Sequence, residues 1–203
     1  MLDYQDLFNR SQGWCSIPKM EAMWKEINTV IDKRENGKSI VAVELGVFGA
    51  RSIIPMAMAL KERNIDGMVY GIDPWARHEA VKGYEGENQS WWSSVDLPEI
   101  LKQAHILVGH YGLNDYVTFI TSSSDNAAKL FKHTAIDFFH CDAQHVFDQF
   151  RKDVDNYVPQ CHAGTPIIVD DVGWCGGKEA SGYVARVADY QYSIDDCGFF
   201  LKK

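Results

Sequence analysis

The chain has 203 residues, 46% hydrophobic and 24% charged, which suits one globular domain with a full core. Its formal net charge is −8 and no Lys/Arg-rich run reverses it, which argues against a nucleic-acid backbone as partner. The longest apolar run, residues 53–60, is too short to span a membrane, and the polar start MLDYQDLFNR does not read as a secretory signal.

The five cysteines, at positions 15, 141, 161, 175 and 197, are odd in number and show no C-x-x-C spacing. That pattern reads as reduced thiols in a cytoplasmic protein. In chain order, Ser16 and Pro18 mark a helix start. Met20, Met23, Trp24, Ile27, Val30 and Ile31 then recur at helical spacing until Asn36-Gly37, giving an N-terminal helical segment over 1–38. Residues 39–45 (SIVAVEL) read as a buried strand, broken by Gly46 and Gly49 before a helix over 51–63. A second strand, 68–72, ends at Asp73-Pro74.

Residues 76–95 depart from this alternation. Tyr84, Trp91 and Trp92 stand among Gly83, Gly86 and polar residues, the composition of a long structureless loop acting as a lid or binding insertion. Then follow a helix at 97–111, a strand at 117–121, a short helix at 127–132, a strand at 136–141, a helix over 146–158 and a strand at 165–169. Residues 183–192 fit helix or strand, and 199–203 a final strand. Strands alternating with helices predict one α/β domain over 1–203, with a doubly wound, mostly parallel sheet and an antiparallel last strand.

Three stretches carry chemistry. In Glu44-Leu45-Gly46-Val47-Phe48-Gly49-Ala50-Arg51-Ser52 a strand enters, glycines permit close backbone approach, and a helix leaves. The acid at the strand end would repel a pyrophosphate but favour a ligand bearing an ammonium or sulfonium. Gly71-Ile72-Asp73-Pro74-Trp75 places an acid where doubly wound folds hold ribose hydroxyls. Asp142, and the pair Asp170-Asp171, close two further apolar runs. If those runs are neighbouring parallel strands, the three acids converge, and such an oxygen-rich site suits Mg²⁺, Ca²⁺ or Mn²⁺. The alternative is that they are ordinary polar residues at strand ends.

E-x-G-x-x-G after one strand and an acid after the next resemble class I S-adenosylmethionine-dependent methyltransferases, over roughly residues 14–174. Within that class, GIDPW and the HCDAQH…IVDDV pair are similar to metal-dependent small-molecule O-methyltransferases of the macrocin and catechol types. The resemblance implies that Glu44, Gly46, Gly49 and Ser52 face the methionine end of the cofactor and that Asp73, beside Trp75, binds its ribose. It places Ser123 and Ser124 near the adenine and makes Asp142, Asp170 and Asp171 ligands of a divalent cation, with Mg²⁺ the expected ion. Asp142 would serve both the cofactor and the reaction. His145 stands where the catechol enzymes carry a catalytic lysine and would act as general base, or else cap the next helix or bond Asp142. The chain departs from the sugar-modifying relatives in having Asp142-Ala143-Gln144 for their Asp-Gly-Asp. The expected acceptor is a small molecule, a sugar or an aromatic natural product, and a homo-oligomer is compatible. The rival readings are a nicotinamide-dependent oxidoreductase, opposed by Phe48 where the dinucleotide fingerprint needs glycine, and a non-catalytic cofactor-binding protein.

Overall fold

Seven strands form one sheet in the order β3-β2-β1-β4-β5-β7-β6 in the computed structural model, which describes residues 2–35, 37–144, 146–173 and 177–203. The strands are β1 (Ile40–Leu45), β2 (Gly67–Asp73), β3 (Val117–Thr121), β4 (Phe138–Cys141), β5 (Pro166–Val169), β6 (Ala188–Ile194) and β7 (Cys197–Lys202). The first five pair in parallel, while β7 lies antiparallel to β5 and β6. The expected doubly wound sheet with an antiparallel last strand is thus the fold observed.

Period-two alternation on β1 explains the two-sided core. Ile40 and Ala42 join the cluster packed by Met20, Met23, Ile53 and Met56, while Val43 and Leu45 join that of Phe139, Phe150, Val154 and Tyr157. The first face is covered by α1 (Tyr4–Arg10), α2 (Ile17–Lys33), α3 (Ile53–Glu62) and α6 (Leu97–His110). The second is covered by α7 (Ser124–Phe131), α8 (Phe147–Tyr157) and α9 (Gly177–Val184). Among the described residues no helix is long and apolar enough to cross a membrane. Cys15, Cys141, Cys161 and Cys197 are free thiols.

Two expectations need correction. Residues 76–95 are not structureless: they hold α4 (Arg77–Ala80) and α5 (Gly86–Ser94). Alternating glycines and polar residues hid the helices because neither buries a residue, so no apolar stripe marks them. The ambiguous stretch 183–192 is both helix and strand, since α9 ends at Val184 and β6 begins at Ala188. The helix α1 lies within the expected N-terminal helical segment as a short helix of its own, with only Leu7 buried.

The second face contains a polar strain point. Asp153 in α8 is fully buried, its Oδ1 accepting from Ser124 Oγ at 2.6 Å and Gln149 Nε2 at 3.1 Å, while Oδ2 has no partner. Burial raises its carboxyl to about 6, against the hydrogen bonds of Ser124 and Gln149; Asp125 adds to the rise and Lys152 opposes it. The folded state therefore prefers the protonated acid. Stability is lost as pH rises from the ordinary carboxylate value through about 6, by an amount on the order of 2–3 kcal/mol. Asp153→Asn is expected to gain roughly 1–2 kcal/mol in denaturant melts near pH 8 and nothing near pH 4; an equal change at both would remove the ionisation argument.

Candidate functional site

The parallel register builds the site. Leu45 is level with Ile72 on one side and Cys141 on the other, and Cys141 is level with Val169. The next residue on each strand is therefore Gly46, Asp73, Asp142 and Asp170, in one row at the carboxyl edge. Main-chain bonds extend the sheet into this row, from Gly46 N to Ile72 O at 2.9 Å, Asp142 N to Leu45 O at 2.9 Å and Asp170 N to Cys141 O at 3.1 Å. Strand order reverses between β1 and β4, the place where open α/β sheets bind ligands.

The glycines do what close approach demands, though toward the chain's own backbone. Gly46 has φ +81°, and a Cβ there would lie 1.9 Å from the Asp142 carbonyl oxygen. A Cβ on Gly49 would lie 2.4 Å from Gln12 O. Arg51 fastens the same N-terminal segment: buried, it donates to Ser11 Oγ, Ser11 O, Gly13 O and Phe8 O at 2.5–3.2 Å and lies 4.2 Å over the Phe8 ring. Glu44 is fully buried, with Oε1 accepting from Ser52 Oγ at 2.7 Å and Oε2 3.0 Å from His140 Nδ1. It can offer a ligand negative potential rather than a hydrogen bond.

Asp73 holds the loop from the neighbouring strand. Its Oδ2 accepts from Val47 N and Phe48 N, both at 3.0 Å, and Oδ1 accepts from Trp75 N at 2.7 Å. Each carboxylate oxygen has about two acceptor positions, so Oδ1 keeps one for a ligand hydroxyl. Burial raises the Asp73 carboxyl; hydrogen bonds from Phe48, Trp75 and Val47 oppose that. Trp75 is buried beneath the loop, its indole donating to Phe48 O at 2.9 Å. Phe48 (φ +47°), Ala50 (+65°), Trp75 (+40°) and Asp171 (+56°) all take the left-handed region. For such residues that is costly, and strain of this kind clusters at ligand sites.

Two of the three acids expected together, Asp170 and Asp171, gather with a third, and Asp142 lies beside them. Carboxylate oxygens of Asp170, Asp171 and Asp196 lie within 4.8 Å of one another; Asp196, from the β6–β7 turn, is the member that sequence reading missed. Lys19 Nζ stands 2.7 Å from Asp170 Oδ1 and 2.8 Å from Asp196 Oδ1. Burial alone would lower the Lys19 amine, but Asp170 and Asp196 hold it well above its ordinary value. Asp142 stands beside this group. Burial pushes its carboxyl well up, as do Asp170, Glu44 and Asp171, with Lys19 opposing. An ion shared by Asp170 and Asp196 would have to displace the ammonium or bear its repulsion. At 4 Å and moderate dielectric, that repulsion is roughly 8 kcal/mol for a divalent charge. A second mixed group, His140, Asp170 and Cys197, also lies within 4.8 Å; burial and then Asp170 push the Cys197 thiol up.

Over the edge stands an aromatic cluster. Trp14, 65% exposed, has its ring 5.3 Å from Phe48 and 5.2 Å from Trp91, and Trp91 meets Trp92 at 4.8 Å. The other end of the α4–α5 segment touches the loop after β4: the Gln144 side-chain amide donates to Lys82 O, and a Cβ on Gly83 would lie 2.8 Å from Val146 Cγ2. Ser123 is the half-buried N-cap of α7, whereas Ser124 turns to α8 through Asp153. His145 and Trp174 lie outside the described residues.

Residues 43–172 match a family described as a methyltransferase domain. No curated protein matches the chain. The O-methyltransferase NovP superposes with a TM-score of 0.72 at 19% identity, over 93% of this chain and 81% of that one. The O-methyltransferase TomG from Streptomyces achromogenes, solved with S-adenosylmethionine, gives 0.69 at 13% identity, over 100% and 91%. An O-methyltransferase from Bacillus cereus, solved with S-adenosylhomocysteine, gives 0.65 at 14% identity, over 100% and 92%. The match over most of the chain, on a sheet whose glycine loop sits at the switch point with Asp73 on the next strand, makes the chain a member of the methyltransferase-domain family. It is an S-adenosylmethionine-dependent methyltransferase, and the nicotinamide-dependent alternative falls away.

Asp73→Ala removes three main-chain bonds and the spare acceptor together. We expect it to cost roughly 1–3 kcal/mol in both thermal stability and S-adenosylmethionine affinity. Calorimetric titration on the folded variant checks the second; unchanged affinity would take Asp73 out of the cofactor site.

Proposed function

We propose that the protein transfers a methyl group from S-adenosylmethionine to a hydroxyl oxygen of a small-molecule acceptor. The observation that carries this reading is the row of Gly46, Asp73, Asp142 and Asp170 along one sheet edge. The residues suit the cofactor: Asp73 Oδ1 keeps an acceptor position for a ribose hydroxyl, and an acid behind the glycine loop, Glu44, suits a sulfonium. Bound there, S-adenosylmethionine would supply an electrophilic methyl group. Gly46, Gly49, Ser52, Trp75 and Ser123 complete the proposed cofactor site around Glu44 and Asp73.

The chain must do the rest. A hydroxyl is a weak nucleophile until its proton is taken, and alignment of donor and acceptor supplies much of the remaining acceleration. Asp142 is the proposed proton acceptor, because burial, Asp170, Glu44 and Asp171 make it more basic than an ordinary carboxylate. Asp142→Asn is expected to lower turnover by about two to four orders of magnitude and leave S-adenosylmethionine affinity nearly intact. Turnover within a few-fold of the parent protein would reject the role.

The aromatic cluster supports an acceptor with a flat ring or an apolar sugar face. The α4–α5 segment, in contact with the loop after β4 at one end and Trp14 at the other, is the proposed lid that excludes water. Hydrogen exchange over 76–95 is expected to slow when S-adenosylmethionine and an acceptor, found by mass spectrometry on a hydroxylated-compound panel, are both present. Equal protection with and without them would leave the segment a fixed cover.

A further inference from the structure

Lys19 is a buried cation that the reaction outlined above does not use. It is 4% exposed and lies in the first turn of α2. Its place does not depend on a free-swinging side chain. Ser16 caps the helix, accepting from Lys19 N at 3.3 Å and donating to Asp195 Oδ2 at 2.7 Å, so the helix start is tied to the β6–β7 turn. Arg51 ties down the segment just before it, with Gly13 O and Cys15 O among its acceptors. The ammonium is thereby set against Asp170 and Asp196, two of the three acids whose oxygens cluster within 4.8 Å. Both partners in the Lys19–Asp170 pair are buried, with side chains 6% and 7% exposed. Asp142 is outside that cluster but beside Asp170 and Asp171, so a divalent ion would meet an edge where Lys19 already holds Asp170 and Asp196.

We propose that the Lys19 ammonium is the resident cation of this edge, in the place where the acid pattern would put a divalent metal, and that the protein works without one. Lys19 is then a positioning residue. It holds Asp170 and Asp196 together and opposes the field that Asp170, Glu44 and Asp171 impose on Asp142. The claim about turnover rests on the methyltransfer reading; the claim about the cation does not.

The test is a Mn²⁺ titration of the full chain followed by electron paramagnetic resonance, with Mg²⁺ as competitor. The unsubstituted protein is expected to bind Mn²⁺ weakly. Lys19→Met should bind it at least roughly tenfold more tightly because the competing charge is gone, and Lys19→Arg should restore the weak binding. EDTA should leave the turnover of the unsubstituted protein unchanged. Stoichiometric Mn²⁺ binding by the unsubstituted protein, or a Lys19→Met variant that binds no tighter, overturns the proposal. If Lys19→Met does not fold, the titration of the unsubstituted protein decides alone. Failure of the methyltransfer reading would appear separately, as no S-adenosylmethionine binding by calorimetry.

Discussion

Repulsion among carboxylates at one sheet edge is the constraint that the rest of this structure answers. Parallel pairing in register sets Asp73, Asp142 and Asp170 on one row, and the β6–β7 hairpin adds Asp196. Each acid is compensated by a different device. Asp73 takes three main-chain N–H groups, Asp170 and Asp196 share Lys19, and Glu44 is enclosed by Ser52 and His140. The Asp142 carboxyl is raised by burial and then by Asp170, Glu44 and Asp171.

The N-terminal segment is as much a part of the site as the sheet. Gly49 admits it, Arg51 clamps it, and it carries Trp14, Cys15 and Lys19 over the edge. The Cys15 thiol is pushed well up by burial and then by Glu44, Asp170 and Asp142, which places it among the same acids. Left-handed conformations at Phe48, Ala50, Trp75 and Asp171 surround this arrangement. The hydrogen bonds of Asp73 and Trp75 hold two of them in place.

The aromatic cluster is built from elements far apart in the chain. Phe48 comes from the glycine loop, Trp14 from the N-terminal segment, and Trp91 and Trp92 from α5. The helix α5 buries no residue completely, although Trp92 packs against the core cluster. Its ring contacts are with Trp14 and Phe48, and it also meets its neighbouring helix α4.

By itself the sequence determined the sheet and the acids at its edge. Apolar runs ending in Glu44-Leu45-Gly46, Asp73, Asp142 and Asp170 carry their own period and their own terminators, so alternation and strand-end chemistry could be read locally. Tertiary structure alone decided which charges meet. Lys19 lies 151 residues from Asp170 and 177 from Asp196, and nothing in its local pattern, a lysine in the first turn of an amphipathic helix, distinguishes it from a solvent-facing one. Likewise nothing in the sequence singles out Asp196 until the antiparallel return of β7 beside β5 brings it to the edge. The periodicity that forms an element is encoded within a few residues, whereas an ion pair depends on where two such elements are packed, and that is fixed by the burial of the whole core.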